Sequence, residues 1–192
     1  MSLTNRDYYR RLAQRTLDEM PPEDRFSGED AALVLRHREL LLGLEERLVQ
    51  LFYDSLYSHP ATRAVFREGE RPERERTLRE WWRRTLSGPF DLDYWAWQAY
   101  VGLAHVRRGV TNPMMLGHAA LVARAVGEAV REVEGGALAG AVSRLMATVS
   151  ALIANGYHEV YLEAASQITG QSRSLLERSV EVALSALEAK AQ

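Results

Sequence analysis

Apolar residues recur every three or four positions along almost the whole chain, and that spacing excludes a core built from sheets. A half-buried strand needs alternation at period two, which is nearly absent here. The helical stretches are punctuated by the few Pro and Gly clusters. An opening helix spans residues 5–19 and ends before Pro21-Pro22. Ser27 and Asp30 form a capping box for a second helix over 29–42. After a bend at Gly43 the helix resumes over 44–58, and His59-Pro60 turns the chain into a short helix ending near Phe66. Residues 67–71 form a polar loop, and Pro72 opens a helix that runs through Leu86 to Ser87-Gly88-Pro89. The next helix, 91–108, closes at Gly109, a natural left-handed cap. Asn112-Pro113 begins a helix to Glu134, and an apolar helix covers 137–165. Beyond Gly170 a last helix carries Leu176, Val180, Leu184 and Leu187 on one stripe. Long helices on short loops predict an all-α fold, either a helical bundle or globin-like packing; periodicity does not choose between them.

Length and charge narrow the functional classes. The 192 residues suit one domain with a substantial core. A formal net charge of −2 gives no bulk attraction to nucleic acid or to an anionic membrane. The absence of cysteine removes disulfides, thiolate metal sites and cysteine nucleophiles at once. The charged start, MSLTNRDYYRRLAQ, does not read as a signal peptide, and no run of about 18 apolar residues is evident. The expected setting is cytoplasmic.

Five histidines are present, and no pair has the i, i+4 spacing or HExxH pattern of a zinc helix. His105 stands apart because Trp97 and Val101, at four-residue steps, put it on an apolar helix face. Two readings of that position stand side by side. One is a core histidine satisfied by a backbone carbonyl; the other is a neutral imidazole offering Nε2 to haem iron. His118 and His158 read as structural or exposed, and His59 as a turn residue. The run RPERERTLREWWRR alternates charge and reads as a solvated helix face.

The stretch VGLAHVRRGVTNPMMLGHA resembles the proximal signature of globin-coupled sensors and protoglobins. Gly102, His105, Gly109, Val110 and Gly117 match it without a gap, while Met114 and Met115 replace the usual Trp-Tyr and the proline is shifted to Pro113. Two further blocks keep the family order: LEERLVQLFYDSLYSHPATRAVF, residues 44–66, and TLREWWRRTLSGPFDLDY, residues 77–94. The resemblance implies a globin fold of the sensor type, with an N-terminal extra helix in residues 1–27, a globin core in 28–165 and a C-terminal helical extension in 166–192. It implies haem b ligated by His105, with Tyr53 as the distal tyrosine and Phe66 packed on the haem face. Thr77, Leu78 and Trp81 fall on the distal helix, and Val101, Met114 and Met115 on the pocket wall.

On that reading Tyr53 donates a hydrogen bond to a gas ligand that gains negative charge from ferrous iron, worth about 1–3 kcal/mol. Thr77 holds that hydroxyl or donates a second bond, unless it bonds back within its own helix. The implied function is reversible binding of O2, CO or NO by a sensor or ligand-binding protein, not an enzyme. Sensor globins pair through their last two globin helices, which implies a homodimer with a possible separate signalling partner. The alternative is a haem-free globin-fold regulatory domain of the stress-regulator type, against which the presence of both His105 and Tyr53 argues. Haem-based dioxygenase or peroxidase chemistry ranks last, because no distal acid/base pair is evident.

Overall fold

The computed structural model describes residues 3–191, with side chains described for 6–185. Among the described residues there are ten α-helices and one 3-10 turn, and no strand. They are α1 (Leu3–Glu19), α2 (Gly28–Arg36), α3 (Arg38–Leu42), α4 (Glu45–Ser58), α5 (Pro60–Arg63), α6 (Arg71–Thr85), α7 (Leu92–Arg108), α8 (Asn112–Ala129), α9 (Ala137–Thr169) and α10 (Arg173–Ala191). The chain has the all-α globin fold.

The long helix α9 is the hub. α7 and α8 lie along it, α1 and α2 pack on it, and α1 also runs against α7. On the other side α4 packs with α5, α6 and α8. The α9 positions Leu138, Ala141, Val142, Leu145, Val149 and Leu152 are all buried, at the three- and four-residue steps seen in the sequence. The segment Val133–Thr169 is long and apolar enough to cross a membrane, contrary to the sequence expectation of no such run. Half of that apolar window is buried among the other helices, which accounts for its composition.

The tightest contact in the core is between two backbones. A Cβ built at Gly102 of α7 would lie 2.4 Å from the Tyr157 nitrogen and 2.5 Å from the Ile153 carbonyl of α9. A Cβ at Gly156 would lie 1.9 Å from the Ala99 carbonyl. Only glycine at both places lets the helices meet this closely.

The helix boundaries depart from the sequence expectation at a few places, each with a local cause. The 29–42 helix is broken at His37, whose backbone leaves helical values while its ring and Arg36 meet Glu134. The helix from Asn112 stops at Ala129 rather than Glu134: Val130 leaves helical values at φ −115, ψ 14, and Glu134 and Gly135 take left-handed conformations in the turn that follows. Phe66 lies beyond the end of α5, in the turn that follows. α9 continues four residues past 165, until Gly170 caps it at φ 67. The Ser27–Asp30 capping box and the left-handed cap at Gly109 form as the sequence predicts.

Neither end of the chain is simply appended. α1 buries Tyr9, Leu12 and Ala13 in the main core. Glu159 of α9 is buried and accepts hydrogen bonds from Tyr8 and Arg15 of α1, each at 2.8 Å, and from both terminal nitrogens of Arg173 at the start of α10. Arg173's hydrogen bonds, with Tyr8 and Arg15 behind them, hold the Glu159 carboxyl down at about 2 against the opposing effect of burial. Past its first turn α10 is exposed: Leu176 is half-buried, Val180 and Leu184 are open to solvent, and the Leu187 side chain lies outside the described residues.

Gly102→Ala should lower stability by about 1–3 kcal/mol, since overpacking against backbone outweighs the gain of about 1 kcal/mol in helix propensity. Gly127→Ala, with nothing near the new methyl, should instead stabilise by up to about 1 kcal/mol. Urea unfolding of both variants measures the contrast, and equal shifts would contradict the backbone contact. The Glu159 carboxyl is depressed in the folded state, so its contribution is present above an unfolded value of about 4.5 and is lost as pH falls toward 2. Glu159→Gln should therefore cost on the order of 2 kcal/mol near pH 7. The gap between wild type and variant should close progressively in unfolding curves taken between pH 5 and pH 2.

Candidate functional site

Three buried residues of α4, Val49, Tyr53 and Leu56, form a small apolar cluster separate from the main core. They share the four- and three-residue spacing of one helix face. Phe52, Tyr57, Phe66 and Leu78 pack around them, and Phe52 also touches the main core. The Tyr53 ring meets Phe66 edge-on at 6.2 Å and Phe52 at 5.3 Å. Burial raises the Tyr53 phenol well above its usual range, so it is a hydrogen-bond donor and not a phenolate at neutral pH. Its hydroxyl donates to the backbone carbonyl of Arg74 in α6 at 2.6 Å.

α6 packs on α4, α7 packs on α9 and α1, and side chains join α6 to α7: Tyr94 donates to Thr85 at 3.2 Å and the Arg84 guanidinium lies over the Trp97 ring. His105 lies on α7, and Arg108, one turn further, carries its guanidinium 6.0 Å from the Phe66 ring while donating to Glu70 at 2.6 Å. Residues three apart share a helix face. Arg108 thereby links α7 to Phe66, which packs on the Tyr53 cluster. Burial first, and the charge of Arg108 second, push the His105 imidazole down to about 4, so it is neutral at physiological pH. Its Nδ1 is buried with no hydrogen-bond partner.

The remaining residues singled out in the sequence are distributed as follows. Phe66 and Leu78 stand with Tyr53. Trp81 donates from Nε1 to Gln98 Oε1 at 3.2 Å, stacks on Trp82 and packs against the main core, as Val101 does. Met115 is buried in that core, and Met114 is half-buried. Thr77 is exposed and its hydroxyl donates to the Glu73 carbonyl at 3.1 Å, the back-bond within the helix that competes with any distal role. His59 and His158 are exposed. His118 is structural: it is half-buried, with Nδ1 donating to the Met114 carbonyl at 2.8 Å and Nε2 buried without a partner. Sequence reading also missed Arg108 and Phe52, which join the His105 helix to Phe66 and the two apolar clusters to each other.

The arginine-rich face of α6 is a set of ion pairs. Arg71 meets Asp54 and Glu75, Arg79 meets Glu46, and Arg83 meets Glu45. These tie α6 to α4 beside the Tyr53 cluster. A groove of about 410 Å³ lies between α1, α7 and α9, lined by Tyr9, Leu103, Val160 and Ala164. Leu103 and His105 are two residues apart, hence about 160° apart around α7, so this groove is on the far side from the imidazole.

A sequence model of the Protoglobin family matches residues 25–163. No curated protein matches the chain significantly. The matched span runs from just before α2 to near the end of α9, well over half of the chain, and takes in both the Tyr53 cluster and His105. This protein belongs to the protoglobin family.

Proposed function

We propose that this protein binds haem b through His105 and holds O2, CO or NO near Tyr53, as a cytoplasmic gas sensor or ligand-binding protein and not as an enzyme. The observation that carries the reading is the neutral His105 imidazole, half-buried on α7 within the span that matches the Protoglobin model. A charged histidine cannot ligate iron; this one keeps its lone pair at any physiological pH. Haem supplies the iron on which the gas is held. Every other contribution comes from the chain. Phe66 and Leu78 beside Tyr53, with Val101, Met114, Met115 and Trp81 on the core side, would keep the site dry. Arg108, held by Glu70 over Phe66, would close the edge between α7 and the turn after α5.

The Tyr53 hydroxyl has two acceptors to choose between. Its bond to the Arg74 carbonyl is a neutral pair, worth about 0.5–1.5 kcal/mol net. A ligand carrying negative charge offers about 1.5–3 kcal/mol and would draw the hydroxyl away, whereas one with little charge would not. Discrimination among gases would then rest on ligand charge. The haem-free regulatory reading would keep the Tyr53–Arg74 bond permanently, but it gives the neutral His105 imidazole no role.

The exposed apolar residues Ile168, Val180, Val182 and Leu184, at the end of α9 and along α10, support a homodimer formed through these two helices. The net charge of −2 gives no reason to expect nucleic-acid or membrane partners.

His105→Ala should abolish haem retention during purification with haem supplied, read as loss of the Soret band while helical content persists. Full retention would overturn the ligand assignment. Tyr53→Phe should speed O2 release about tenfold, the equivalent of 1.4 kcal/mol, with CO release changed far less. Flash photolysis and stopped-flow displacement measure both rates, and equal changes for the two gases would show the tyrosine to be filling space only.

A further inference from the structure

The groove of about 410 Å³ between α1, α7 and α9 takes no part in the region of Tyr53 and His105. Its volume falls within the range of small-molecule sites, about 300–1,000 Å³. Leu103 of α7 with Val160 and Ala164 of α9 give it apolar walls, and Tyr8 and Tyr9 of α1 give it an aromatic one. Tyr9 is only 4% exposed, and its ring is clamped edge-on between Tyr8 and Tyr100, each at 5.3 Å. Burial raises its phenol above the usual range, so the hydroxyl is a donor at neutral pH. The Tyr8 hydroxyl is taken by Glu159 at 2.8 Å, whereas that of Tyr9 has no acceptor among the described residues. Water can serve such a donor, and a ligand oxygen in the same place would displace that water without losing the hydrogen bond.

The charges around the groove cancel. Glu159 is answered by Arg15 and Arg173, and Arg173 is shared with Glu177. At the rim Glu163 accepts from Gln167 at 2.7 Å, and Arg107, one turn beyond Leu103 on α7, stands exposed. Three arginines thus face three glutamates. A charged head group gains no net attraction from such surroundings and gives up hydration to enter them. The apolar walls favour an alkyl chain, in proportion to the area it covers.

We propose that this groove is a binding site for a neutral alkyl compound bearing one carbonyl oxygen. The chain lies against Leu103, Val160 and Ala164, and the oxygen accepts from the Tyr9 hydroxyl. A carbonyl brings acceptors only, so it satisfies the phenol without introducing a donor that the apolar walls would leave unpaired. The clamp of Tyr8 and Tyr100 holds the donor in place before the ligand arrives, which lowers the ordering cost of binding. Because the groove opens on the far side of α7 from the imidazole, the site does not depend on the haem reading.

The test is a calorimetric titration of the full chain with octan-2-one, which should saturate at one molecule per chain. Tyr9→Phe keeps the clamped ring and removes only the hydroxyl, and should weaken binding about fivefold. Ala164→Trp fills the groove from its exposed rim and should remove binding, with the helical content of both variants matching wild type. Octanoate and octylammonium, of the same chain length, should bind at least about tenfold more weakly than the ketone. Absence of saturable octan-2-one binding, binding unchanged in both variants, or a charged head group held as tightly as the ketone overturns the proposal. A wild-type dimer that takes up no ketone and that Ala164→Trp converts to monomer also overturns it, and assigns the groove to a second copy of the chain.

Discussion

The close approach of α7 and α9 at Gly102 and Gly156 sets the rest of the architecture. Two helices ordinarily keep their axes 8–10 Å apart because side chains stand between them. Here the backbone of each fills the space a Cβ would need on the other, at Ala99, Ile153 and Tyr157. Such a contact fixes not only the separation but also the rotation of α7 about its own axis. His105 follows Gly102 by three residues, about 60° around the helix, so a turn of α7 that relieved the glycine contact would swing the imidazole with it. Leu103 is carried the other way, toward the groove between α1, α7 and α9. The residue that permits close packing and the residue that offers a lone pair are parts of one rigid piece.

Burial does the electrostatic work at this site, with little help from charge. The His105 imidazole is held neutral mainly because water cannot reach a cation there, and Arg108 adds a smaller repulsion. The Tyr53 phenol is held protonated by the same exclusion of water. The charges themselves are kept to the rim: the arginines of α6 pair with carboxylates of α4, and Arg108 pairs with Glu70. The more exposed of these pairs, such as Arg71–Asp54, contribute little to stability, about 0–1 kcal/mol each, yet with Arg83 on the buried Glu45 they orient α6 over α4. The result is a dry interior bounded by donors and lone pairs whose protonation states do not change across physiological pH.

Much of this was legible in the sequence because helices announce themselves through period and punctuation. Gly109 and the Ser27–Asp30 box are local devices, and both form where the residues predict. The errors share a cause: they arise where a distant partner overrides a local pattern. The break at His37 and the early end of α8 are joined through Glu134, nearly a hundred residues from His37, which no window of sequence reports. At the site, Tyr53, Phe66 and Leu78 meet because they are contacts between neighbouring elements, α4, α6 and the turn between them. Trp81 packs on the main core and meets Gln98, and Thr77 makes the back-bond within its own helix that its sequence position offered as the alternative. His118 is structural, one of the two readings its sequence offered: its ring bonds within α8 and meets Phe52 of α4, more than sixty residues earlier. The one available signal was the i−4 spacing to Met114, which is uninformative until burial is known.

The ends of the chain obey a different balance. Removing a carboxylate such as Glu159 from water costs several kcal/mol and is tolerable only when every lone pair finds a donor. Tyr8, Arg15 and Arg173 provide those donors from two other helices, so α1, α9 and the first turn of α10 share one fixed point. The same residue that locks α1 in place thereby sets the direction in which α10 leaves the domain. Beyond that anchor α10 has no burial of its own, with Val180 at 55% and Leu184 at 52% exposure. An isolated helix of this length is marginal in water. Its first turn is held by an ion pair, while its apolar face awaits a surface. Because α9 also carries Gly156, any shift of α7 that altered the glycine contact would be passed along one continuous helix to Glu159, and from there to the base of α10.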